Sequence, residues 1–169
     1  MFKKTLSITL SVFLMVLLAV VPSFAEDELY PMEDVNQYIR FETPGENPDI
    51  ASDGSFTFKI RSGLTSGKFK PTNGQVTIKT KAHLEDALTG AVSYSSSKTY
   101  RVYLLTWATG QTVSSYAAHP NGNYYSKTFT GLSNSKYYKI KIAITSQGDV
   151  NSQYYFVGSG KVSGATVSY

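Results

Sequence analysis

Apolar and polar residues alternate cleanly in two stretches of this chain, Phe56-Thr57-Phe58-Lys59-Ile60-Arg61 and Val76-Thr77-Ile78-Lys79-Thr80-Lys81. A period of two is that of a strand with one face in water. It assigns Phe56, Phe58, Ile60, Val76 and Ile78 to a core and the lysines to solvent. Residues 100–107 (YRVYLLTW) carry apolar side chains at both parities, which predicts a central strand. Residues 112–117, 124–129, 137–144 and 154–162 complete a set of seven strands, and a shorter run around Val92-Ser93-Tyr94 makes a marginal eighth. Thr109-Gly110, Asn121-Gly122 and Gln147-Gly148 are turn signals between them. No window shows a sustained helical period, and residues 83–88 allow at most one turn. Short strands joined by hairpin-scale links predict an all-β sandwich or barrel.

The pattern before residue 54 is of a different kind. Lys3 and Lys4 precede a nearly continuous apolar run over residues 6–21, which Pro22 and Ser23 end. Ser23-Phe24-Ala25 then places small residues at the two positions a signal peptidase reads. Residues 1–25 are therefore expected to be a secretory signal peptide. An apolar core of this length is short for a bilayer span. Residues 26–53 show little apolar periodicity and are interrupted at Pro31, Pro44-Gly45 and Pro48. A mostly irregular arm is expected there, with residues 32–41 able to form one short strand or helical turn. Residues 54–169 are the expected β domain, which is long enough for a single core.

Charge divides at the same boundary. Residues 26–53 hold nine acidic residues against one base, Arg40, whereas residues 54–169 hold thirteen bases against Glu85, Asp86 and Asp149. The net charge of +4 falls to +2 once Lys3 and Lys4 leave with the leader. There is no cysteine. That excludes disulfides, thiol catalysis, iron–sulfur clusters, cysteine-based zinc sites and a lipoprotein anchor. An exported chain without disulfides points to a bacterium, and the Lys-Lys start suits a Gram-positive exporter. The expected location is extracellular, secreted or loosely held at the wall.

One local arrangement narrows the fold. Gly131-Leu132 is followed by Ser-Asn-Ser-Lys and then by Tyr137-Tyr138-Lys139-Ile140-Lys141-Ile142. The step from Leu132 to Tyr138 into an alternating strand resembles the tyrosine corner of fibronectin type III and immunoglobulin-like domains. The resemblance spans about residues 54–165 and implies an antiparallel sandwich of about seven strands. In it, Leu132 packs at a strand end and the Tyr138 hydroxyl ties down the preceding loop. The chain departs from that family in placing its one tryptophan, Trp107, at the end of the third strand, and in lacking the cysteine pair. The resemblance implies a scaffold and no activity.

Candidate chemistry is sparse. His83 and Glu85 share a strand face, yet no third ligand follows at a metal-binding spacing. His119, before Pro120-Asn121-Gly122, reads as turn surface. The Asp49 to Asp53-Gly54 spacing lacks the remaining ligands of a calcium loop. No nucleophile elbow, zinc-protease motif or phosphate loop is present, so no catalytic residue, metal site or cofactor is assigned. The tyrosines are the richest feature. Tyr124-Tyr125, Tyr137-Tyr138 and Tyr154-Tyr155 are adjacent pairs, and strand alternation turns one member of each outward. Tyr125, Tyr137 and Tyr155, with Lys79, Lys81, Lys139 and Lys141, are the candidate binding residues, and Leu132 and Tyr138 are structural.

These residues predict a secreted, non-enzymatic binding module for an anionic wall polymer, a glycan or an extracellular protein. The alternative is an extracellular enzyme or enzyme inhibitor without a recognisable motif. Nucleic acid is not an expected partner, because the net charge is small and no recognition motif is present. Mass spectrometry of the exported protein should find an N-terminus at or near Glu26. An intact Met1 would overturn the leader.

Overall fold

A computed structural model describes residues 37–41, 53–146, 149–150 and 152–167. The expected leader of residues 1–25 and most of the expected acidic arm lie outside the described residues, as does the Gln147-Gly148 turn signal. The described chain forms eleven strands in two antiparallel sheets that pack as a sandwich.

The six-stranded sheet contains β1 (Tyr38–Phe41), β2 (Ser55–Ile60), β10 (Tyr154–Ser163), β4 (Val76–Asp86), β5 (Val92–Ser93) and β8 (Tyr125–Phe129). Its order is β1-β2-β10-β4, and the far edge of β4 is shared. β8 pairs with residues 76–80 and β5 with Leu84 and Glu85. The five-stranded sheet runs β11 (Ala165–Val167), β3 (Gly63–Pro71), β9 (Tyr138–Ile144), β6 (Tyr100–Thr106) and β7 (Thr112–Ala118).

The alternation read from the sequence sets which side chains meet between the sheets. Phe56, Phe58 and Ile60 of β2 and Val76 and Ile78 of β4 are fully buried, as expected. They face Val102 and Leu104 of β6 and Ile140 and Ile142 of β9. Burying each such side chain contributes about 1.5–3 kcal/mol, so this layer is the main source of stability. β1 is the short strand that residues 32–41 allow, and it pairs with β2 along Tyr38–Phe41.

β3 and β11 were not foreseen. β3 carries Gly63, Ser66, Gly67 and Pro71, which read as loop chemistry, and its pairing with β9 shifts register between Thr65 and Lys68. At that irregularity the buried Ser66 hydroxyl accepts a hydrogen bond from the Ile140 amide at 2.9 Å and keeps β9 satisfied. The two longer hairpins have matching tips. In each, a glycine amide, Gly90 or Gly110, donates to the carbonyl of the last residue of the first strand, Asp86 or Thr106. Both glycines have positive φ, at 70° and 67°.

The corner inferred from Leu132 and Tyr138 is formed. The Ser133 amide donates to the Tyr138 hydroxyl at 3.0 Å, Leu132 is buried, and the Leu132 amide donates to the Gly74 carbonyl at 2.8 Å. A second polar contact bridges the sheets. The fully buried Thr80 hydroxyl of β4 meets the hydroxyls of Tyr100 at 3.2 Å and Tyr116 at 3.0 Å. Three hydroxyls thus satisfy one another inside the sandwich.

Two outcomes follow for stability. Leu132→Ala should cost about 2–4 kcal/mol in chemical denaturation through the lost packing, and Tyr138→Phe about 1 kcal/mol through the lost hydroxyl bond. Near-zero losses for both would refute the corner. Alkaline pH is the second lever. Burial pushes the Tyr100 phenol well above its ordinary value and Tyr116 up to about 12, against the bond each makes to Thr80. Both are therefore protonated in the fold at a pH where the unfolded chain ionises. Their contribution is fully present below about pH 10 and is lost as pH rises towards the folded values. Denaturant titrations above about pH 10 should show stability falling by about 1.4 kcal/mol per pH unit for Tyr100, and by less for the part-exposed Tyr116. Tyr100→Phe should flatten that slope, and an unchanged slope would refute the assignment.

Candidate functional site

Because core residues occupy alternate positions, every lysine between them on β4 and β9 points outward. The sandwich therefore has two basic outer faces, and the four lysines singled out in the sequence divide between them. Lys79 and Lys81 lie on the six-stranded sheet, and Lys139 and Lys141 on the five-stranded sheet.

On the five-stranded face, β9 presents Lys139 and Lys141, its neighbour β3 presents Lys68 and Lys70, and β6 presents Arg101 and Tyr103. Lys68 lies directly across the ladder from Lys139. The five strands contain no carboxylate. The four lysines lie instead against aromatic rings, and Arg101 donates to the Ser115 hydroxyl. Lys68 is 5.1 Å and Lys70 6.0 Å from the Tyr137 ring centre, Lys139 is 5.2 Å from Trp107, and Lys141 is 5.9 Å from Tyr103. Such contacts at exposed sites are worth about 0.5–1 kcal/mol and leave the positive charge uncancelled. Tyr137 and Trp107 are joined by a bond from the Trp107 amide to the Tyr137 carbonyl at 2.9 Å. Trp107 is 42% exposed. With Lys136, these two rings line an open cleft of about 330 Å³ at the end of the face.

The carboxylates among the described residues are engaged elsewhere. Glu85 pairs with Lys59 at 2.7 Å, Asp53 with Lys161 at 2.9 Å, and Asp149 with Lys98. The Glu85 carboxylate holds the Lys59 ammonium above its ordinary range, against partial desolvation. Asp86 accepts the Thr89 and Leu88 amides and the Thr89 hydroxyl, which hold its carboxyl below the usual range. It caps the turn after β4. His83 and Glu85 do share the outward face of β4, but Glu85 is spent on Lys59 and His83 lies edge-on to Tyr94 at 6.3 Å. Among the described residues there is no group of three His, Cys, Asp or Glu placed to hold a metal ion. No helix among them is long and apolar enough to cross a membrane.

The tyrosine pairs divide as alternation requires, with Tyr137 and Tyr155 outward as named from sequence and Tyr125 inward against expectation. Tyr137 is exposed and Tyr138 buried. Tyr125, however, packs against the core, and its hydroxyl accepts a bond from Asn121 at 2.9 Å; Tyr124 is the exposed member, at 56%. Tyr155 faces outward but is only 6% exposed, because Lys59 and Arg61 cover its ring at 4.4 and 5.4 Å. Tyr94, at 65% exposed, was not singled out at all. His119, expected as turn surface, is half-buried, with its Nδ1 2.9 Å from the Lys98 carbonyl oxygen. No protein family matches the chain, and no curated protein shows significant similarity to it.

Proposed function

We propose that this chain is a secreted, non-enzymatic binding module on an immunoglobulin-like scaffold, and that its outer five-stranded face takes an anionic polymer of the cell wall. The observation that carries this reading is a sheet surface with Lys68, Lys70, Arg101, Lys139 and Lys141 and no carboxylate in any of its strands. A run of like charges several strands wide raises the local concentration of a polyanion. Its rings supply area for the ligand's apolar parts, and its ammonium groups remain in water at little desolvation cost. The immunoglobulin-like part of the reading rests on the tyrosine corner. The flank of β9 away from β6 is taken by β3, however, while the last long strand, β10, joins the opposite sheet. In the family that flank belongs to the strand after the corner strand. The module is thus a variant arrangement within that reading.

Long-chain polyphosphate tests the proposal directly. The exported protein should bind it at low salt, with affinity falling steeply as salt rises. Lys139→Ala combined with Lys141→Ala should weaken binding at least about tenfold. Lys127→Ala should leave it nearly unchanged, since that ammonium is held at the sandwich edge by Ser114 and Ser115. Equal loss in both variants, or no binding at low salt, would reject the face as the site.

A further inference from the structure

The six-stranded sheet carries a second and differently built surface. β10 runs through its middle, and the outward side chains there are small. Val157 and Ser159 form a floor between β2 and β4. Two open hollows of about 330 and 270 Å³ lie end to end along this floor and share Ser159. Lys81, His83 and Tyr94 wall the first, and Lys79, Tyr124 and Lys161 the second. From Val157 to Lys161 the floor extends about 14 Å at the ordinary rise of a strand, longer than a single sugar ring.

The split edge of β4 builds the aromatic wall. β8 ends its pairing at Thr80 and β5 begins at Leu84, so the β4 edge between them is met by loops. The Gly122 amide closes part of that gap by donating to the Ala82 carbonyl at 2.8 Å. Tyr94 lies directly over Gly122. A Cβ built at Gly122 would stand 2.9 Å from the Tyr94 Cε1 atom, and Gly122 has φ of 80°. The missing side chain lets the ring rest on backbone, while its 65% exposure leaves the outer surface in solvent. Tyr124, from the same loop, stands beside Lys79 at 4.0 Å and Lys81 at 5.1 Å from its ring centre. Neither lysine has a carboxylate among its ion pairs in the described structure, whereas Lys161 is paired with Asp53.

We infer that this trough binds a linear acidic polysaccharide. The C–H face of a sugar ring is apolar and stacks on an exposed aromatic ring, which Tyr94 and Tyr124 provide at two stations. The carboxylate of an acidic sugar is matched by Lys79 and Lys81, and its hydroxyls by Ser55 and Ser159 on the floor. A linear chain suits an open trough two hollows long better than a compact ligand does. The site is separate from the five-stranded face and stands or falls independently of it.

The test uses the exported protein carrying Lys139→Ala and Lys141→Ala, so that the opposite face contributes little. Binding is measured to polygalacturonate, to neutral dextran and to polyphosphate. Polygalacturonate should bind, and Tyr94→Ala or Tyr124→Ala should each weaken it about tenfold, the scale of one lost stacking contact. Tyr94→Phe should retain binding, and thermal unfolding of each variant should match the parent. Lys79→Ala with Lys81→Ala should abolish the preference for polygalacturonate over dextran. Polyphosphate binding should not respond to Tyr94→Ala. The inference is overturned if polygalacturonate does not bind or if both tyrosine variants bind it unchanged. It is overturned equally if polyphosphate affinity falls in step with them, which would mark the surface as a simple cation patch.

Discussion

The packing of two phenylalanines onto the bare backbone of one strand is the constraint around which the sandwich is arranged. Phe56 and Phe58 are fully buried, and β10 passes them with Gly158 and Gly160 turned inward. A Cβ at residue 158 would lie 2.5 Å from the Phe58 Cζ atom and 2.2 Å from the Lys81 carbonyl oxygen. One at residue 160 would lie 2.4 Å from the Phe56 Cζ atom. No rotamer relieves a clash with a backbone carbonyl, so only glycine fits. The Phe58 ring in turn lies 5.8 Å from Tyr100, and Tyr100 lies 6.3 Å from Phe156. The inward glycines therefore couple β2 and β10 to the five-stranded sheet through one aromatic cluster. On the other side of the same strand, short outward residues leave the floor of the trough.

Charge follows from the same alternation. Once the core claims every second residue, lysine can occupy only the outward positions of β4 and β9, and its stem covers the apolar edge of the ladder. Each carboxylate among the described residues is already committed, to Lys59, Lys98, Lys161 or the turn after β4. Among the described residues the five-stranded face is consequently left with aromatic rings as the local counterweight to positive charge. A ring attracts an ammonium through its quadrupole and does not neutralise it. The field at that face thus survives, where a matching set of carboxylates would have cancelled it.

Much of this was legible because burial and period coincide. β2, β4 and β9 follow a period of two, β6 is apolar enough to read as a central strand, and the Leu132 to Tyr138 step placed the corner. β3 was not legible because Gly63, Gly67 and Pro71 break the alternation, and its ladder is completed by a serine side chain at an irregularity. Lys68 and Lys70 went unread with it. The misplaced tyrosine in 124–125 is a matter of parity. Phe129 is buried, so residues 127 and 125 share its side and Tyr124 takes the other. Tyr155 obeys its parity, but two basic side chains from β2 and the residue after it cover the ring, a tertiary effect no local pattern encodes. The trough was invisible for the same reason, since its walls come from residues 79–83, Tyr94, Tyr124 and Lys161, which only the fold brings side by side.

The two faces differ in how firmly they would hold a ligand, and the difference is one of order. On the five-stranded face the ammonium groups sit on flexible stems over exposed rings, and each contact is small and salt-screened. A polymer of charge can satisfy such a surface in many registers, which suits retention without selectivity. The trough contains at least one element with little freedom. Tyr94 rests on the Gly122 backbone, and the Gly122 amide is tied to β4. The ring has backbone support before any ligand arrives, which lowers the ordering cost of stacking there. A ring backed in this way beside Lys81 discriminates by position as well as by charge. On this reading the glycine at 122, by leaving room for the Tyr94 ring, sets where a sugar stacks, and Lys79 and Lys81 set the preference for an acidic one.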